Sequence, residues 1–207
     1  MNLFNQALQK NISASKMFIF FSQLMDKPVQ DKNDQVVGEI YDIVVKPSQV
    51  YPLSDALIIR KGFPNRKYAV INWQNVERFG MEGATLKIEK ESLQFSESHD
   101  EKKELTLRRD ILDQQVVDTH NHKVIRVNDV HLLSVDHTLM IAHVDIGSRG
   151  IIRRLGFEKL VDLIVKLFSP KAKYLSLEHL ISWKHIQPLT INPVSMTIKI
   201  DVPQKNL

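Results

Sequence analysis

The sequence predicts a mainly β protein: two small β-barrels in tandem, residues 1–98 and 99–207, the second with a helical insertion over about residues 150–172. Three observations carry that expectation. The chain contains an internal repeat, its apolar residues fall in short β-branched runs between turn residues, and one segment alone has helical periodicity.

Sliding the 207-residue chain against itself matches residues 24–43 to residues 111–130 without a gap, at an offset of 87. Asp26, Val29, Asp31, Val37 and Asp42 fall on Asp113, Val116, Asp118, Val124 and Asp129, five identities in 20 positions where composition alone gives roughly one or two. The ends of the copies match as well. Trp73-Gln74-Asn75-Val76 parallels Trp183-Lys184-His185-Ile186 at an offset of 110, and Thr85–Ile88 parallels Thr197–Ile200 at 112. The rise from 87 to 110 places an insertion of about 23 residues between the middle of the second copy and its tryptophan.

Taken in order, Met17-Phe18-Ile19-Phe20-Phe21 reads as a strand, because Ser22 and Gln23 break it far short of the roughly 20 apolar residues a spanning helix needs. Asp31–Gln35 and Asp118–His122 are turn chemistry, since Asp and Asn tolerate left-handed backbone and bond their own main chain. Strands are predicted over Val36–Val45, Ala56–Ile59, Tyr68–Ile71 and Ala84–Ile88, then over Val124–Leu133, Thr138–Val144, Leu177–Ile181 and Met196–Val202. Strands this short suggest closure into a barrel, which removes exposed edges. In the insertion, Phe157, Leu160, Val161, Ile164, Leu167 and Phe168 recur at helical spacing between Gly156 and Ser169-Pro170. The charged stretch Glu97–Lys103 marks the boundary between copies.

Residues 1–100 carry 12 Lys+Arg against 12 Asp+Glu and residues 101–207 carry 16 against 12, so the net charge of +4 belongs to the second half. The chain has no cysteine, which excludes disulfides and thiolate chemistry and fits a reducing compartment, the cytoplasm by default. A phosphate-cradling loop, a nucleophile elbow, a zinc-protease helix and a dinucleotide fingerprint are all absent from the sequence, so no enzyme activity and no cofactor are expected.

The leading segment Leu24 to Asp31, the run Val36-Val37-Gly38-Glu39-Ile40-Tyr41-Asp42-Ile43-Val44-Val45 and the closing Ile71-Asn72-Trp73-Gln74-Asn75-Val76-Glu77 resemble the PRC-barrel domains. In the second copy Ile111–Asp118, Arg126–Val130 and Val144–Gly156 resemble the tandem PRC region of bacterial proteins similar to magnesium transporters. The resemblance spans roughly residues 18–202, with one departure: Ile125 stands where Gly38 does. It implies a regulatory or docking module at the inner face of the membrane, since PRC barrels share no catalytic constellation. In that subgroup a helical domain and paired CBS domains usually follow, so the end at Leu207 implies either a shortened form or a stand-alone adaptor.

Several residues stand out as candidates for chemistry or contact. His120, His122 and Asp118 are side chains of the type that ligate divalent metals, although two histidines in one turn seldom complete a ligand set; the alternative is an exposed polar turn. From Ile146 to Lys173, Arg149, Arg153, Arg154, Lys159, Lys166, Lys171 and Lys173 stand against Glu158 and Asp162, a local charge of +5. A basic amphipathic helix either docks on a protein or anionic lipid or packs on its own barrel. Arg149, Arg153 and Arg154 are expected to face outward, with Asp145, Lys159 and Lys166 completing a protein-contact surface. Nucleic acid is the alternative partner, by analogy with ribosome-maturation factors of the same resemblance, although no basic stretch is interleaved with aromatics.

Overall fold

Each copy opens on an aspartate in the left-handed region, Asp26 at φ 65° and Asp113 at φ 63°, a backbone that Asp tolerates better than most residues. Their main chains are bonded alike. Asp26 N–H donates to Ile40 O at 2.9 Å and Asp113 N–H to Val127 O at 2.9 Å, while Ile40 N–H donates to Lys27 O and Val127 N–H to Gln114 O. Those partners keep the offset of 87, so the repeat in sequence is a repeat in hydrogen bonding.

The structure is a computed structural model that describes residues 17–48, 51–99, 104–135, 137–157, 161 and 179–188. The first copy supplies β1 (Met17–Phe20), α1 (Phe21–Leu24), β2 (Pro28–Gln30), β3 (Val36–Lys46), β4 (Leu53–Lys61), β5 (Lys67–Asn72), β6 (Val76–Gly80) and β7 (Gly83–Leu86). The second supplies β8 (Leu105–Thr106), α2 (Leu107–Asp110), β9 (Gln115–Asp118), β10 (Lys123–Arg126), β11 (Asp129–Val135), β12 (Thr138–Asp145), α3 (Ser148–Arg154), β13 (Leu180–Ser182) and β14 (Ile186–Pro188). The predicted strand at Met196–Val202 and most of the predicted helix at 157–168 lie outside the described residues.

The fold is mainly β, with a nearly closed, barrel-like sheet of 11 strands and a second sheet of three, β10-β9-β14. The large sheet runs β1-β11-β12-β4-β3-β2-β7-β6, so β11 and β12 of the second copy are inserted between β1 and β4 of the first. Its edge strands approach each other: a Cβ on Gly80 of β6 would lie 3.5 Å from Met17 Cε of β1. Between them a cavity of about 360 Å³ is lined by Met17, Trp73, Phe79, Ser134 and His137. Among the described residues the larger of two apolar clusters spans both copies, drawing Val29, Ile40, Ile43, Leu57 and Leu86 from the first and Val130, Leu132, Ile141 and Val144 from the second.

The leading segments are exchanged. β1 of the first copy pairs antiparallel with β11 of the second, Phe20 opposite His131, and β8 of the second pairs with β3 of the first, Thr106 opposite Val44. A buried aspartate fastens each crossing. Asp42 Oδ1 accepts the N–H of Arg108 in α2 at 2.9 Å, and Asp129 Oδ1 accepts the N–H of Ser22 in α1 at 3.2 Å. Each also accepts from its own successor, Ile43 or Val130. Asp42 and Asp129 together form one of the five identities of the repeat, and their shared work is to cap the first turn of the other copy's helix.

The tryptophans behave alike too, each opening a 3-10 turn, Trp73–Asn75 and Trp183–His185, at the end of a strand paired with the long second strand of its copy. The copies part at their long strands. Val44 and His131 hold equivalent places, yet β3 runs unbroken while its counterpart divides into β10 and β11 at Val127-Asn128. The cause is visible in β4 and β12. Ile58 lies opposite Asp42, and β4 continues through Arg60, whereas Asp145 lies opposite Asp129 and the chain leaves the sheet at Ile146. Gly38 is required because a Cβ there would sit 2.6 Å from Arg60 O. No such neighbour presses on Ile125, because β10 pairs with β9 and not with β12, which accounts for the missing glycine.

Gly38→Ala is accordingly expected to destabilise the protein by about 1–3 kcal/mol through this overlap, read as a lower urea midpoint.

Candidate functional site

Antiparallel pairing of β11 with β12 places Val130 opposite Val144, both fully buried in the core. Side chains alternate across a sheet, so the flanking pairs, Asp129 opposite Asp145 and His131 opposite His143, lie on its other face. That face carries two buried carboxylates, and α3 covers them. Gly150 permits the approach: a Cβ there would lie 3.1 Å from Asp145 Oδ2 and 3.2 Å from Asp129 Cβ.

Arg153 enters this layer from α3. Its guanidinium donates to Asp129 Oδ2 at 3.0 Å, lies 3.8 Å from Asp145 Oδ2 and stacks 3.4 Å over the Phe20 ring of β1. Ser22 Oγ donates to the same Asp129 oxygen at 2.6 Å, and Gly147 N–H donates to Asp145 Oδ1 at 2.8 Å. Burial pushes the Asp129 carboxyl upward against the opposing bonds from Ser22 and Val130 and the charge of Arg153. The ion pair holds only because hydrogen bonds complete the coordination of the carboxylate. Beside it the two imidazoles stand with Nδ1 atoms 3.3 Å apart, and His131 stacks on Phe18 at 4.9 Å and on Phe20 at 4.6 Å.

These positions correct the expected contact surface. Arg153 and Asp145 are buried, so neither faces outward; sequence spacing reveals a charge but not the opposing charge that draws it inward. Arg154 is held at Asp113, with nitrogens 3.0 and 2.9 Å from its two carboxylate oxygens. Burial acts to raise that carboxyl, but Arg154 and Arg126 outweigh it and hold Asp113 below its ordinary range. Arg149 is half-buried, and Lys159 and Lys166 lie outside the described residues. Beside Ser148, α3 and its exit present large apolar side chains to solvent: Ile151, Leu155 and Phe157, exposed by 38%, 59% and 53%.

The histidine turn is also different from a ligand set. Asp118 is buried with Oδ1 accepting the N–H groups of His120 and Asn121 and Oδ2 accepting from Asn121 Nδ2. The Asn121 side chain first, and these N–H bonds after it, hold its carboxyl low. His120 meets His185, ring centroids 5.1 Å apart, rather than His122. Among the described residues no group of three or more His, Asp or Glu is placed to hold a metal ion, and no helix is long and apolar enough to cross a membrane.

Sequence reasoning missed Phe20 and Ser22, which belong to the first copy, and the pair His131 and His143. The alternation of Phe18 and Phe20 was the available signal, since it marks a strand with an aromatic face. No family model matches the chain, and no curated protein matches it significantly.

Arg153→Met is expected to destabilise the protein by about 3–5 kcal/mol by leaving Asp129 buried without its cation, whereas Arg154→Met, at a part-exposed pair, costs less than about 1 kcal/mol. Urea denaturation of both variants makes the comparison.

A second prediction concerns pH. Burial raises the Asp42 carboxyl to about 6, against the bonds from Arg108 and Ile43; burial first, then His143 and Arg153, lowers His131 to about 4. For a raised carboxyl the stabilising contribution is complete below its ordinary value of 3.8 and is lost as pH rises through about 6. For a depressed imidazole it is complete above 6.5 and is lost as pH falls through about 4. The two oppose each other across that window. Asp42→Asn should leave stability rising with pH there, and His131→Gln should leave it falling. Urea midpoints across the window decide, and parallel profiles for the two variants would refute the assignment.

Proposed function

We propose that the chain is a non-catalytic docking module, a tandem pair of PRC-type barrels whose second copy offers α3 and its exit to a protein partner. The observation that carries this reading is the orientation of α3. Its one buried cation fixes the helix to Asp129, while Ile151, Leu155 and Phe157 stay in water on the outside. Large apolar side chains grouped on one short, firmly anchored element are the pattern of a contact surface.

The matched backbone bonds of Asp26 and Asp113, the paired capping aspartates and the two tryptophan turns support the tandem PRC reading. With that resemblance comes the class of partner: a magnesium-transport-like protein or another component at the inner face of the membrane. The anchoring of α3 suits regulation, because a partner seated on it touches an element fastened to both copies through Asp129 and Phe20.

A photo-crosslinking residue placed at Leu155, compared with one at Val36, which is 62% exposed on β3, tests the surface in the native cell. A discrete protein adduct from position 155 and none from position 36 is expected. Identical patterns from both positions would sink the choice of α3, and an adduct removed by ribonuclease would transfer the site to RNA.

A further inference from the structure

The link between β4 and β5 holds a second surface, distinct from α3. Its sequence is Arg60-Lys61-Gly62-Phe63-Pro64-Asn65-Arg66-Lys67, four cations and no acid. Residues 61–67 are all exposed, and Phe63 is the most exposed large apolar side chain described, at 87%. The turn is built rather than loose. Gly62 stands at φ 85°, where any Cβ would meet Asn65 O at 2.5 Å, so this turn requires glycine at its first position.

The order of chemistry along this hairpin points to one kind of partner. Gly62-Phe63-Pro64 form the tip, and behind it Lys61 lies directly opposite Lys67. Like charges facing each other across a strand pair are unfavourable in water and favourable against a surface of anions. Arg60 is already taken by Asp26 at 2.6 Å and Glu39 at 3.5 Å, and Lys61 also lies over the Phe95 ring. Among the described residues no carboxylate lies within ion-pairing distance of Lys61, Arg66 or Lys67. An aromatic tip with a basic collar one register step behind it fits a bilayer interface, where the ring sinks below the headgroups and the cations meet the phosphates.

We propose that the Gly62–Asn65 hairpin tip is an anionic-lipid contact, with Phe63 as the inserting side chain and Lys61, Arg66 and Lys67 as the phosphate-facing collar. This surface does not depend on the docking role of α3. β4 and β12 pair antiparallel at Leu53 and Met140, near the start of each, and run apart from there. The tip beyond Lys61 and the insertion beyond Asp145 therefore leave the sheet in opposite directions, so a membrane at one leaves the other accessible.

Sedimentation with vesicles of phosphatidylcholine, alone or mixed with phosphatidylglycerol, tests the proposal on the full chain. Binding is expected only to the mixed vesicles, weakening steeply between about 0.1 M and about 1 M salt, where the screening length falls from about 10 to about 3 Å. Phe63→Ser should weaken it roughly tenfold, and Lys61→Glu with Lys67→Glu by more than about tenfold. Unchanged thermal midpoints confirm that these exposed substitutions leave the fold intact. No binding to mixed vesicles at the lower salt overturns the proposal, as does binding that both variants retain. A retarded RNA band that depends on the same residues, with no vesicle binding, would reassign the surface to nucleic acid. Loss of the α3 crosslink with vesicle binding preserved bears on the docking reading alone.

Discussion

Two buried carboxylates, Asp42 and Asp129, hold the arrangement of the molecule. Each sits on the long strand of one copy and accepts a backbone N–H from the leading helix of the other. The energetic weight comes from burial: a carboxyl deep in the protein needs several donors, and for each of these two at least one donor, Arg108 N–H or the Ser22 groups, belongs to a segment that must cross over to supply it. Once α1 and α2 are fastened in this way, β1 and β8 are delivered to β11 and β3, and the large sheet becomes continuous through both copies. The shared apolar core follows from the same crossing, because Phe21, Leu24 and Leu107 enter it from the exchanged segments.

The departure from symmetry begins one residue after the sheet face that carries Asp145. In the first copy the strand continues, presses on Gly38 and ends in the hairpin at residues 62–65; in the second it turns away at Ile146, and α3 folds back over the carboxylates. Arg153 is the consequence. With Asp129 and Asp145 side by side under a helix, a buried cation is needed between them, and the helix register that supplies it turns Ile151 and Leu155 outward.

Much of this was legible in the sequence. The gapless match of residues 24–43 with residues 111–130 located the equivalent turns, since Asp at a left-handed position and Asp at a capping position leave identities that survive divergence. Most described strands were also readable from β-branched runs, and the match of Trp73 with Trp183 marked equivalent places without revealing the turns they open. The exchange of leading segments was not. Phe20 and Leu107 are both simply apolar, and nothing local states which copy's strand they join. Arg153 illustrates the same limit at the site: three arginines in six residues read as an exposed basic face, and only the carboxylates brought from β11 and β12 by pairing reveal that one of them is interior.

The exchange also sets an order in time. Ser22 and its acceptor Asp129 are 107 positions apart, and β1 finds its partner strand only at residues 131–134. During synthesis the first copy therefore emerges with its leading strand unpaired and its β3 edge lacking β8. Such long-range pairing makes closure late and slow, and Phe20, buried in the finished fold, stays exposed until the second copy has left the ribosome.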